Sequence, residues 1–243
     1  MSRKLPLSIE PCPIIDALVE IRFIAKVDPN AVFGLIYGAL MQQYPGRIYN
    51  LPIMQLPEAV RVSDPSFRFK PLYRLITNDV TIQIGPDVLS ISSSLPYIGW
   101  EQFKSHVINI INLINAKGNI IERVIRLGHR YINFFDMDML PNITMSFKMT
   151  EGYDIQQLQI TTSVKDSTFD NTIQFSNSSI MNLNQPNEKR GSIIDIDTYK
   201  NYPDNYFLGN IANEMEEAHK SEKTLFFSLL EDRFIETLNP QYD

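Results

Sequence analysis

The sequence predicts an α+β protein in which antiparallel sheets carry helices on one face, with a long C-terminal helix and two related α+β halves. Three observations predict it. Short runs with strand character, such as Val80–Ile84 and Val88–Ile91, are joined by turn-length connections at Asn78-Asp79 and Gly85-Pro86-Asp87. Connections of this length fit hairpins, whereas a parallel pair needs a crossover of a dozen or more residues. Helical stripes of three-to-four spacing interrupt those runs, and the order strand, helix, strands, helix, strands, helix fits segregated helices and sheets.

The first expected strand is Ala17–Phe23, in which Val19, Ile21 and Phe23 alternate with Glu20 and Arg22. That period of two belongs to a half-buried strand. Asp28-Pro29 supplies a helix cap followed by proline at the first helical position. Phe33, Ile36, Tyr37, Leu40 and Tyr44 then share a face until Pro45-Gly46 ends the helix. Between Arg47 and Ser94 strands are expected at Phe67–Phe69, Tyr73–Ile76, Val80–Ile84 and Val88–Ile91. The prolines at 45, 52, 57, 65 and 71 make residues 45–71 a loop or an irregular sheet edge, the best place for a variable surface.

Gly99-Trp100-Glu101 opens a second helix with the stripe Phe103, Val107, Ile110, Ile111 and Ile114, ending near Lys117-Gly118-Asn119. Strands follow at Ile125–Phe135, Ile143–Met149, Gln157–Val164, Asn171–Phe175 and Ser192–Tyr199. A last helix spans Leu208 to Leu238, with Ile211, Met215, Ala218, Phe226, Leu230 and Phe234 inward and an acid-rich outer face. A helix of that length predicts a symmetric homodimer through it. The element order sets a division at 1–135 and 136–243, or one continuous domain.

Composition excludes more than it assigns. A chain of 243 residues with 44% hydrophobic content buries a substantial core, and a net charge of −6 weakens any case for broad, sequence-independent nucleic-acid binding. The single cysteine, Cys12, cannot form an internal disulfide, which points to a reducing cytoplasm. The N-terminal residues have no signal-peptide pattern, and no apolar stretch is long enough for a membrane span. There is no phosphate loop, no dinucleotide fingerprint and no serine elbow. His106, His129 and His219 fall in no metal-ligand spacing. Asp136-Met137-Asp138 and Asp195-Ile196-Asp197 place paired carboxylates on one side of a strand, the basis of a metal-dependent hydrolase reading. No catalytic residue, cofactor or metal ligand is assigned.

The most informative run is Arg126-Leu127-Gly128-His129-Arg130-Tyr131-Ile132-Asn133-Phe134. On a strand Arg126, Gly128 and Arg130 share one face, and Leu127, His129 and Tyr131 the other. With Arg68, Lys70, Arg74 and Tyr73 upstream, Arg126, Arg130 and Tyr131 make the candidate binding surface. Arginine beside stacking aromatics is the chemistry of single-stranded nucleic-acid recognition. Pairing of the same cations with acidic strands is the structural alternative.

Four stretches in order resemble a sporadically distributed prokaryotic family of uncharacterised proteins of about this length: Ala17–Phe23, Gly99–Phe103, Arg126 with Gly128 and Arg130–Asn133, and the helix from Glu216-Glu217-Ala218-His219 to Phe227. The resemblance supplies no catalytic residues. It implies an accessory role in a setting like that of mobile-element and phage-defence genes. The leading expectation is a cytoplasmic, non-enzymatic protein that binds another protein. A single-stranded nucleic-acid binder is the second.

Overall fold

The computed structural model describes residues 4–117, 120–181, 188–206 and 210–242. Nine strands form one sheet in the order β2-β3-β4-β5-β1-β6-β9-β8-β7, with β2–β3, β3–β4, β4–β5, β5–β1 and β8–β7 paired antiparallel. They are β1 (Ile14–Ala25), β2 (Arg47–Asn50), β3 (Tyr73–Ile76), β4 (Val80–Ile84), β5 (Val88–Ser93), β6 (Ile121–Phe135), β7 (Gln159–Lys165), β8 (Asp170–Met181) and β9 (Lys189–Tyr206). The α-helices are α1 (Pro29–Leu40), α2 (Glu58–Ser63), α3 (Trp100–Ala116), α4 (Ile211–Ser228) and α5 (Asp232–Glu236). The protein is therefore α+β, with the sheet dominant. By its internal contacts the chain divides into a unit of Met1–Ile15, Arg130–Thr198 and Ala218–Asp243 and a unit of Asp16–His129 and Tyr199–Glu217. This division differs in kind from the cut at residue 135, because both units are built from separate stretches of chain.

In the unit built on Asp16–His129, period-two alternation carries through four strands in register. Val19, Ile91, Ile82 and Leu75 align across β1, β5, β4 and β3, and Ile21, Leu89, Ile84 and Tyr73 align in a second row. The aliphatic members of both rows are buried. Each contributes roughly 1.5–3 kcal/mol of burial free energy relative to exposure. The intervening row, Glu20, Ser90, Gln83, Arg74 and Tyr49, lies on the opposite face and is polar.

The helix α1 starts where expected: the Asp28 carboxylate accepts the Asn30 N–H at 2.9 Å, and Pro29 opens the helix. Phe33 stacks on Tyr73 with ring centroids 3.8 Å apart, so this helix packs on the apolar face of β3. The helix α3 buries Phe103, Val107, Ile110, Ile111 and Ile114, the stripe read from the sequence. Gly99 before it sits at φ 87°, a conformation that glycine adopts without strain. Gly118 and Asn119, named in the expected helix end, lie outside the described residues.

Three expectations give way. Phe67–Phe69 is not a strand: the Asp64 carboxylate accepts the Ser66 N–H at 2.8 Å and Pro65 opens a short 3-10 turn. Residues 143–149 form no strand either, since Ile143 makes only an isolated bridge to Leu230. That bridge also breaks the last helix. Thr144 N–H donates to Leu229 O and Glu231 N–H to Asn142 O, both at 2.9 Å, so the chain extends at Leu229–Glu231 and a separate α5 follows. Leu208, where the helix was expected to begin, lies outside the described residues. Conversely, β2 was not expected.

The unit built on Arg130–Thr198 has its own core of Met139, Phe175, Ile196, Phe226, Leu230 and Phe234 with their neighbours. Among the described residues no helix is long and apolar enough to cross a membrane.

Buried with this unit's part of α4 is Glu222, 4% exposed. Burial pushes its carboxyl up to about 8, against a smaller opposing effect of Lys223. Because the folded value is raised, the unfolded chain releases this proton first, and stability falls as pH rises from about 4.5 to about 8. The loss is of order 5 kcal/mol. In urea denaturation the wild type should lose stability between these limits, whereas Glu222→Gln should lose clearly less. An equal loss in the variant would contradict the assignment.

Candidate binding surface

The residues singled out in the sequence divide by unit and by face. On β6, Arg126 is almost wholly buried, with its guanidinium 2.9 Å from the Glu20 carboxylate. Glu20 also accepts from Arg22 Nε at 2.7 Å. The Arg126 guanidinium lies 4.4 Å from the centre of the Tyr199 ring. Gly128 makes this placement possible, since a Cβ there would collide with the Arg126 guanidinium. Arg126 is thus held flat over a glycine, between a carboxylate and a ring, as a structural ion pair would be.

Arg130 donates Nε to Asp195 Oδ1 at 2.7 Å and a second N–H to Oδ2, a bidentate pair with a buried carboxylate. Tyr131 is buried, its hydroxyl 3.4 Å from His219 Nδ1. These belong to the unit built on Arg130–Thr198. The paired aspartates are also engaged: Asp136 meets Lys189 at 2.8 Å, and Asp138 accepts the Leu140 N–H at 2.9 Å. Among the described residues no three His, Cys, Asp or Glu side chains converge as a metal site.

The upstream members stay nearer to solvent. Arg68 is half exposed, reaches Asp87 at 3.4 Å and lies 5.0 Å from the Phe69 ring, which Arg22 approaches at 4.8 Å. Lys70 is exposed and Arg74 half-buried, with Arg74 Nε lacking a hydrogen-bond partner. Tyr73 faces the apolar side beneath Phe33. Arg68 and Lys70 thus stay exposed beside the β4–β5 turn and Arg74 lies on β3 next to the terminal strand β2, while Arg126, Arg130 and Tyr131 are committed to partners within their own units.

The stretch from the edge strand β2 to β3 carries a further feature. Six of the sixteen exposed large hydrophobics among the described residues, Ile48, Tyr49, Leu56, Val60, Val62 and Ile76, fall within 48–76, with Val62 reaching 77% exposure. All four residues of β2 are exposed, and β2 is the terminal strand of the sheet. An edge strand presents unpaired backbone groups on its outer side.

The histidines sit apart. His129 meets Trp100 edge-on at 5.0 Å. His106 lies 3.3 Å from the Tyr44 hydroxyl through Nδ1 and 4.0 Å from the Asp79 carboxylate through Nε2. Sequence spacing carries no signal for that trio, whose members come from three elements.

No protein-family model matches the chain, and no curated protein matches it.

The Arg126 arrangement predicts a coupling. Gly128→Ala should cost about 2 kcal/mol in the wild type through displacement of the guanidinium. In an Arg126→Ala background the same change should cost under about 0.5 kcal/mol, measured by chemical denaturation as a double-mutant cycle. Equal costs in both backgrounds would mean that Gly128 is needed for another reason.

Proposed function

We propose that the protein works without catalysis, by binding another protein at the sheet edge formed by residues 47–76. The observation that carries this reading is the concentration of exposed aliphatic side chains there, beside a free edge strand. Exposed apolar groups gathered in one region are a mark of protein contact sites. Between residues 47 and 74 the chain carries five cations, Arg47, Arg61, Arg68, Lys70 and Arg74, against Glu58 and Asp64, although the whole chain is at −6. A partner with an apolar centre and an acidic rim complements that surface, and charge complementarity of this kind speeds encounter.

Nucleic acid is the second reading, favoured by the same cations. It is weaker for a physical reason: of the six exposed apolar side chains there Tyr49 offers a stacking plane but Ile48, Leu56, Val60, Val62 and Ile76 do not, and Arg126 and Arg130 are occupied by carboxylates. The resemblance to a patchily distributed prokaryotic family supports an accessory role in defence or mobile-element biology.

The test is affinity capture from the native host with tagged wild type and a Val60→Glu/Val62→Glu variant, each with and without nuclease. The variant should keep its stability within about 0.5 kcal/mol. A nuclease-resistant protein partner reduced at least about tenfold by the variant, equivalent to about 1.4 kcal/mol, is expected. Capture that is unchanged in the variant would overturn the reading, as would recovery of RNA or DNA alone, lost on nuclease treatment.

A further inference from the structure

A cleft of about 410 Å³ opens beside the C-terminal end of α1, between the β3–β4 turn and α3, all within the unit built on Asp16–His129. Its volume lies in the range of small-molecule sites, roughly 300–1,000 Å³. We propose that this cleft binds a small organic cation bearing an ammonium or guanidinium group, a role separate from protein docking on residues 47–76.

The argument is an account of donors and acceptors. Among the described residues that line the cleft, Asp79, 54% exposed, supplies the one carboxylate, and none is Lys or Arg. Tyr44 is buried, and burial raises its phenol above the ordinary range, so the hydroxyl keeps its proton. That proton is directed at His106, either to Nδ1 or to the backbone O, both at 3.3 Å.

Asn109 spends both amide hydrogens, one on Gln43 Oε1 and one on Tyr44 Oη, each at 3.0 Å, which leaves its carbonyl oxygen as an acceptor. The Ser105 hydroxyl donates to Glu101 O at 2.8 Å, and the Thr77 hydroxyl to Val80 O at 2.7 Å. Their protons are committed within the fold; Thr77 Oγ1 also accepts the Val80 N–H at 3.3 Å, so it keeps one lone pair and Ser105 keeps its own. The donors left over are the amides of Gln43 and Asn78, both on exposed residues, and the His106 ring.

A pocket with one carboxylate and several committed hydroxyls matches a donor-rich cation and repels an anion such as phosphate or carboxylate. Hydrogen bonds from a charged donor to a carboxylate are among the stronger ones. The β3–β4 turn fixes Asp79 in place: Thr77 N–H donates to Val80 O at 3.1 Å, and Ser94 N–H to Asp79 O at 2.9 Å.

The test is a titration of the full chain followed by amide chemical shifts, using n-butylamine and methylguanidine as probes and butyramide and butyrate as controls. Saturable shifts centred on residues 43–45, 77–79 and 105–109 are expected with the two cations. Asp79→Asn, which keeps the shape of the turn, should weaken them at least about tenfold. The Val60→Glu/Val62→Glu variant should bind the cations as the wild type does. The proposal is overturned by absence of saturable shifts up to about 50 mM, by comparable binding of butyramide or butyrate, or by unchanged affinity in folded Asp79→Asn.

Discussion

Strand register across β1, β3, β4 and β5 is the constraint on which the unit built on Asp16–His129 depends. With Val19 opposite Ile91 and Glu20 opposite Ser90, every second row is dry and every other row polar. A slip of one residue would exchange the faces, placing Glu20, Gln83 and Arg74 against α1 and its neighbours. Burial of the aliphatic rows makes that exchange prohibitive, and so the register also decides where the cations go. Arg126 meets Glu20 because Gly128 leaves room, whereas Arg68 and Lys70, outside the paired strands, remain on the surface.

The same logic divides structural charge from functional charge. A guanidinium that is nearly buried, hydrogen-bonded to a carboxylate and stacked on a ring has little left to offer a ligand without breaking those contacts. Arg126 fits that description, whereas Arg130, partly exposed, is held by its bidentate pair with Asp195 in the other unit. What the edge offers instead is aliphatic surface, backbone groups and a local positive balance. These properties suit a folded partner better than a flexible nucleic-acid strand.

Much of the fold could be read directly from the sequence because its signals are local. The alternation in Val19–Phe23, the Asp28 cap and the stripe from Phe103 to Ile114 each lie within one element, and the structure has them there. The misses share the opposite property. Phe67–Phe69 alternates like a strand, but the capping carboxylate of Asp64 and the fixed φ of Pro65 win locally. The break at Leu229–Glu231 depends on hydrogen bonds to Asn142 and Thr144, far away in sequence. The edge strand β2 is only four residues long and lies among prolines. The face-sharing of Arg126, Gly128 and Arg130 was legible, but their partners Glu20 and Asp195 were not, and no spacing rule joins Tyr44 and Asp79 to His106.

The central claim is that the working surface is the free edge at residues 47–76 and not the cationic run of β6. Hydrogen exchange of the chain, alone and with its captured partner, tests this most directly, because protection reports which backbone amides a partner covers. The account predicts new protection confined to β2 and residues 51–76, with β6 unchanged. Protection centred on the opposite edge strand β7, or on no part of 47–76, would contradict it.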